Sequence, residues 1–334
     1  MTYAKILGLF LGTLLIVACG RGEREHAQRQ EKSTQALSSK ELRIATQPAP
    51  LYGPVFVAKR KGWLEGELKE LGVTVKWSSF VAGPPENESF FAGNQDIGVL
   101  GDTPAIIAKS AGLKSRVIGV SANGPKALAI VARDGTQIER PEQLRGKKIG
   151  VTKGSYAHHL LALVLEKGNL KEEDVKIIHL PPADLVNAFN AGELDAASTW
   201  EPFLSRIEVG KARRIADGSG IKQGTLVIIA MDEFAKNNPE IVRRFLLAYR
   251  RGFEFIKEHP KEAANLIADE VKMEPQAYER LIPVFDYNPV ITSDTYRELK
   301  ATEAFLRSKS LTKNLVDIDA FVDTTYLRTI GLAK

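Results

Sequence analysis

Ile97-Gly98-Val99-Leu100-Gly101-Asp102-Thr103-Pro104 holds a strand, a turn and a helix start in eight residues. The apolar run Ile97–Leu100 reads as a strand. Gly101 breaks it. Asp102 or Thr103 can cap a helix, and Pro104 suits a helix's first turn. A helical stretch, Pro104–Ala111, follows.

The same design recurs on either side. Ile149-Gly150-Val151-Thr152 ends in Lys153-Gly154-Ser155, and Ser155–Lys167 carries Leu160, Leu161, Val164 and Leu165 on one helical face. Upstream, Val75–Phe80 leads through Val81-Ala82-Gly83 to Pro84-Pro85 and a helix beginning near Glu86. Further strands are predicted at Leu42–Thr46, Val117–Ser121, Leu128–Arg133, Lys176–Leu180, Ala196–Thr199 and Leu226–Met231, with another helix over Ala183–Ala191. Strands alternating with helices predict an α/β fold with mainly parallel sheet. The last third changes character. Pro239–His259, Pro275–Leu281 and Ser293–Ser308 read as helices, expected to pack as a helical cap.

Strand-to-helix turns of this kind favour anions. Free backbone N–H groups point outward from a helix N-terminus, and the helix dipole adds partial positive charge. In open α/β sheets ligands sit beyond the carboxyl ends of the strands, where these turns lie. Ser155 fits either a plain cap or a ligand donor. His158, in the first turn on the same face, fits either a second donor or a polar helix start. Trp200-Glu201-Pro202 closes the strand Ala196–Thr199. Trp200 suits a wall against an apolar ligand tail or a place in the core. Glu201 suits the helix dipole or an amine on the ligand.

The chain has 334 residues, 44% hydrophobic and 26% charged, as in ordinary soluble globular proteins. Net charge is +5, with 46 Lys and Arg against 41 Asp and Glu. The positive residues are scattered, so no nucleic-acid surface is expected. Lys5 precedes an apolar run, Ile6–Ala18, that is too short to span a membrane and reads as a signal-peptide core. It ends at Cys19, the only cysteine, which leaves no intrachain disulfide and no cysteine-based metal site. Ile16-Val17-Ala18-Cys19-Gly20 resembles the lipobox of bacterial lipoproteins, in which the cysteine carries diacylglycerol. Residues 20–41 read as a flexible tether.

Taken together, Phe80-Val81-Ala82-Gly83-Pro84, Gly101–Pro104, Lys153-Gly154-Ser155-Tyr156-Ala157-His158, Pro182-Ala183-Asp184 through Phe189, Asp195 through Trp200-Glu201-Pro202, and Asp217-Gly218 with Gln223-Gly224 resemble one family. It is the aliphatic sulfonate, taurine and nitrate branch of the periplasmic solute-binding proteins of ABC importers, alkanesulfonate binders above all. The resemblance runs from about Leu42 to the C-terminus. It implies the type II periplasmic-binding-protein fold, two α/β lobes around a central cleft. One lobe is expected at 42–126 plus 231–334 and the other at 127–230.

By the same resemblance Gln47, Gly83, Asp102 and Thr103 face the cleft from the first lobe. Gly154, Ser155, His158, Trp200 and Glu201 face it from the second. Asp102 is expected to give backbone N–H and a cap, since its carboxylate would repel an anion. The implied ligand is a small sulfonate anion, and the implied partners are an ABC permease and its ATPase subunits. The protein is expected to work as a monomer at the outer face of a membrane, held through lipidated Cys19, with no cofactor, no metal and no catalysis.

In one place the chain departs from the pattern. Sulfonate binders usually show Trp-Asp-Pro, and Glu201 here reaches one methylene further, which leaves the sulfonate's identity open. Other ligands compatible with the resemblance are nitrate, bicarbonate and a thiamin-precursor pyrimidine. The contrasting enzyme reading is a desulfinase on the same fold. It needs a cysteine nucleophile, and Cys19 lies ahead of the folded region.

Overall fold

Ten strands build two five-stranded sheets among the described residues. The computed structural model describes residues 38–208 and 212–333. The expected signal segment, Cys19 and nearly all of the expected tether lie outside them. The first sheet contains β1 (Glu41–Thr46), β2 (Thr74–Ser79), β3 (Ile97–Gly101), β4 (Ser115–Asn123) and the last strand, β10 (Thr225–Met231), in the order β2-β1-β3-β10-β4. The second contains β5 (Leu128–Arg133), β6 (Lys148–Val151), β7 (Lys176–His179), β8 (Ala196–Trp200) and β9 (Ala212–Asp217), in the order β7-β6-β8-β5-β9. The helices are α1 (Gly53–Arg60), α2 (Trp63–Lys69), α3 (Gly83–Phe91), α4 (Asp102–Ser110), α5 (Tyr156–Lys167), α6 (Pro182–Asn190) and α7 (Phe203–Glu208). They continue with α8 (Asp232–Asn237), α9 (Pro239–Glu258), α10 (Pro260–Val271), α11 (Pro275–Leu281), α12 (Ser293–Ser308), α13 (Ile318–Phe321) and α14 (Thr325–Arg328). Residues 39–334 form a single compact unit.

β3, the run that opened the sequence reading, is buried along its whole length between β1 and β10. Both of its faces are covered, so its apolar residues need no polar alternation. The expected mainly parallel sheets are mixed instead. β10 runs antiparallel to β3 and β4, and β5 runs antiparallel to β8 and β9. Each is the first strand after the chain crosses between sheets. It therefore starts at the end where its neighbours finish, and Leu226 at the start of β10 pairs with Gly101 at the end of β3.

That pairing also corrects a boundary. β10 belongs to the first sheet, so the return crossing precedes Thr225 rather than falling after residue 230. The two crossings meet backbone to backbone. Gly124 N–H donates to Gln223 O at 3.0 Å, and Gly218 N–H donates to Pro125 O at 2.9 Å. A Cβ at Gly218 would stand 2.3 Å from Lys222 O and 2.7 Å from Pro125 O, so only glycine permits this approach.

Edge strand β9 was not predicted. Its sequence, Ala-Arg-Arg-Ile-Ala-Asp, lacks an apolar alternation because it lies at the sheet's rim, where charge discourages further pairing. Nor do the C-terminal helices form a separate cap. Leu299 and Leu306 of α12 and Phe321 of α13 join Leu100, Val117, Val227 and Ile229 in one core. They are a covering layer of the first sheet.

Candidate functional site

The ends of β1, β2, β3, β6 and β8 deliver their following turns to one cleft. A cavity of about 30 Å³ lies there. From the first sheet's side it is lined by Gln47, Ala49, Leu51, Tyr52, Ala82, Gly83, Pro84, Gly101, Pro104 and Leu226. From the second come Thr152, Gly154, Ser155, Tyr156 and Trp200. All three turns singled out in the sequence reach it. At Gly83 the packing needs glycine, because a Cβ would stand 2.5 Å from the Pro104 ring.

No lining side chain carries a formal charge. Electrostatics therefore come from helix ends: the starts of α3, α4 and α5 all border the cavity. These ends differ in what they offer. Pro84, Pro85 and Pro104 have no N–H to give. The Thr103 N–H is taken by Asp102 Oδ1 at 2.6 Å. At α5, by contrast, the N–H groups of Tyr156 and Ala157 meet no acceptor among the described residues. An anion is best served there.

Of the expected site residues, Gln47, Gly83, Gly154, Ser155 and Trp200 line the cavity. Ser155 does so as the cap of α5. Its Oγ accepts from His158 N–H at 3.2 Å and donates to Thr152 O at 2.7 Å. The hydroxyl proton is thus spent within the protein. Ser155→Ala is expected to lower stability by about 1 kcal/mol through loss of the cap, measured by urea denaturation. An unchanged midpoint would show that the hydroxyl does not hold the helix start.

Asp102, Thr103, His158 and Glu201 are not part of the lining. Asp102 is wholly buried. Its Oδ2 accepts from Lys222 Nζ and from Thr302 Oγ1, each at 2.7 Å, and its Oδ1 accepts from Thr103 Oγ1 at 3.0 Å. A carboxylate inside a closed core pairs with the buried Lys222 ammonium, so it turns inward. His158 also turns away. Its Nδ1 accepts weakly from Gly154 N–H at 3.4 Å, and its ring lies edge-on to His179 and Phe305. Burial keeps its pKa below the ordinary histidine value. Glu201 accepts from Ser205 N–H at 3.1 Å and from Ser205 Oγ at 2.7 Å, capping α7. One of its carboxylate oxygens is thus engaged in a local contact at the start of α7.

Two tyrosines were missed by the sequence reading. Tyr52 and Tyr156 both line the cavity, and burial pushes both phenols well above their ordinary pKa, so they stay neutral. Tyr156 also packs on Trp200 with ring centroids 5.3 Å apart. Tyr156 directly follows the cap Ser155, and Tyr52-Gly53-Pro54 starts a helix after β1 just as the other three turns do. That shared turn design was the available signal.

Residues 49–263 match the model of a family described as NMT1/THI5 like. The chain is similar to a putative aliphatic sulfonates-binding protein of Bacillus subtilis, 33% identical over 294 residues, 86% of this chain and 87% of that protein. It is also similar to two solved structures. The alkanesulfonate-binding protein SsuA from Xanthomonas axonopodis pv. citri, bound to MOPS, matches at 25% identity and TM-score 0.78, over 86% of this chain and 99% of that one. The periplasmic aliphatic sulphonate binding protein SsuA from Escherichia coli matches at 26% identity and TM-score 0.76, over 87% and 100%.

Proposed function

Given that the chain belongs to the NMT1/THI5 like family, we propose that it is the solute-binding component of an ABC importer and captures an alkanesulfonate anion. The observation that carries this reading is the convergence of three helix starts on a cavity without a charged side chain. A sulfonate is fully ionised and only accepts hydrogen bonds. Backbone N–H groups and neutral phenols suit it without an arginine. Trp200, Leu51, Leu226 and Pro104 supply apolar wall for an alkyl tail, which a bare nitrate or bicarbonate would leave unused.

Taurine carries an ammonium that would want a carboxylate. Glu201, the acid expected to meet it, is engaged with Ser205. Plain alkanesulfonates are therefore the favoured ligands. The anion works by bridging the two lobes, because contacts made only in the closed form shift the open–closed equilibrium. A lipid on Cys19 then keeps the binding lobes near the permease and its ATPase subunits, at the outer face of the membrane.

A thermal-shift panel tests the assignment. Ethanesulfonate and longer alkanesulfonates are expected to raise the melting temperature, taurine less, and nitrate and free pyrimidines not at all. At a thousandfold excess over Kd the gain is about 4 kcal/mol, well within detection. A shift with nitrate or a pyrimidine and none with any sulfonate would reject the ligand. Sulfite release from an aryl sulfinate would reject the binding role in favour of an enzyme.

A further inference from the structure

A buried acid stands directly behind the cavity wall. Glu86, in the first turn of α3, is wholly buried, and its Oε2 accepts from the Nε2 of the cavity-lining Gln47 at 2.8 Å. Its other oxygen, Oε1, has no hydrogen-bond partner among the described residues. Among the described residues no charged side chain acts on it. Gln47 faces it from the end of β1, Tyr52 from the turn before α1, Gly98 from β3 and Phe90 from its own helix. Tyr52 is the only other titratable group among these, and it stays neutral.

We propose that Glu86 is a positioning residue: as a neutral acid it donates its O–H to the Gln47 carboxamide oxygen and so turns the Gln47 NH2 group into the cavity, where an anion needs a donor. A carboxamide has nearly the same shape after a half-turn, so the hydrogen-bond partner decides which end points where. With Glu86 ionised, the Nε2 must serve Glu86, and the carbonyl oxygen is left for the cavity. That state presents a lone pair and a buried negative charge to an incoming anion. With Glu86 neutral, a bond between Nε2 and Oε2 would leave the acid proton on Oε1 with no acceptor, a costly arrangement in a closed interior. Reversing the carboxamide gives the acid proton an acceptor and frees the Gln47 NH2 for the cavity. It leaves only the weaker cost of a Glu86 carbonyl oxygen, Oε1, without a donor. Burial opposes ionisation and pushes the Glu86 pKa up to about 8, against one lowering influence, the Gln47 hydrogen bond.

This deepens the sulfonate reading and rests on it for the probe. Anion binding favours the protonated form, so affinity is retained below the Glu86 pKa and falls as pH rises through it. Kd for ethanesulfonate, whose own charge is constant, is expected to rise about tenfold between pH 7 and pH 9. Titration calorimetry on the wild type and on Glu86→Gln tests the linkage, because the glutamine can donate to Gln47 but cannot ionise. The alkaline loss of affinity should be present in the wild type and absent in the variant. A flat wild-type profile, or the same slope in Glu86→Gln, overturns the proposal.

A second measurement needs no ligand. Infrared difference spectra between wild type and Glu86→Gln at pH 6.5 should show the C=O stretch of one neutral carboxylic acid, lost above pH 8. Its absence overturns the proposal even where sulfonate binding is tight. If no sulfonate binds at any pH, the ligand assignment fails, and this band alone decides the state of Glu86.

Discussion

Lys222→Met should destabilise the protein by about 3–5 kcal/mol at neutral pH, the cost of breaking a buried charge pair from one side. Lys222 is almost wholly buried, and its Nζ donates to Asp102 Oδ2 at 2.7 Å, to Glu298 Oε1 at 2.8 Å and to Thr302 Oγ1 at 3.1 Å. It sits on the return crossing between the sheets, while Asp102, Glu298 and Thr302 belong to α4 and α12. The cluster thus ties the crossing segment to the first sheet's helices. Methionine fills the space but leaves Asp102 as an unpaired carboxylate in the interior. Burial alone would raise the Asp102 pKa, and the Lys222 ammonium overrides it, so the pKa lies below the ordinary carboxylate value. Its stabilisation is therefore present above the unfolded-state pKa of an aspartate and is lost as pH falls through the lowered native value. The Lys222 pKa is raised, so its share is present up to the ordinary lysine range and fades only above it. At neutral pH both shares are intact. The gap between wild type and Lys222→Met, read from urea midpoints, should narrow towards acid, where the stranded Asp102 can take up a proton. Adding Asp102→Asn to Lys222→Met should recover part of the loss. A single variant within 1 kcal/mol of the wild type would show that the pair does not hold the crossing.

This cluster also marks where sequence reading stops. Ile97–Leu100 announces its strand through local composition, and Gly101-Asp102-Thr103-Pro104 announces the helix start through cap chemistry. The convergence of three such turns on one cleft follows from strands ending on a common side. Side-chain direction is another matter. Asp102 was read as facing the cleft, but it is not part of the cavity lining, and its partner lies 120 residues on in a loop with no periodic pattern. His158 and Ser155 share a helical face, yet the contact between them runs through the His158 backbone N–H. Glu201 looked outward from the motif it interrupts, while a serine four residues later claims it. The antiparallel strands were invisible for a related reason. An apolar run reads the same in both directions, and only the crossing between sheets decides which way β5 and β10 run.

Trp200→Ala is expected to weaken ethanesulfonate binding about 30- to 150-fold, the loss typical of a well-packed aromatic anchor at 2–3 kcal/mol. The sequence left Trp200 open between cavity wall and core, and the structure gives it both places. It is 6% exposed, lines the cavity, and packs against Tyr156 at 5.3 Å and Phe203 at 5.7 Å. Truncation removes the apolar wall and frees the Tyr156 ring beside the α5 N–H groups, so both tail and anion lose their fit. The fold pays as well, since deleting a buried indole commonly costs about 3–5 kcal/mol. Binding must therefore be read by calorimetry on protein whose circular dichroism confirms the fold. Trp200→Phe separates the two effects: it keeps an aromatic face against Tyr156 and should retain most of the affinity. An alanine variant that folds and binds within threefold of the wild type would place the tail elsewhere. A loss shared equally by ethanesulfonate and butanesulfonate would assign Trp200 to holding Tyr156, whereas a loss growing with chain length would assign it to the tail.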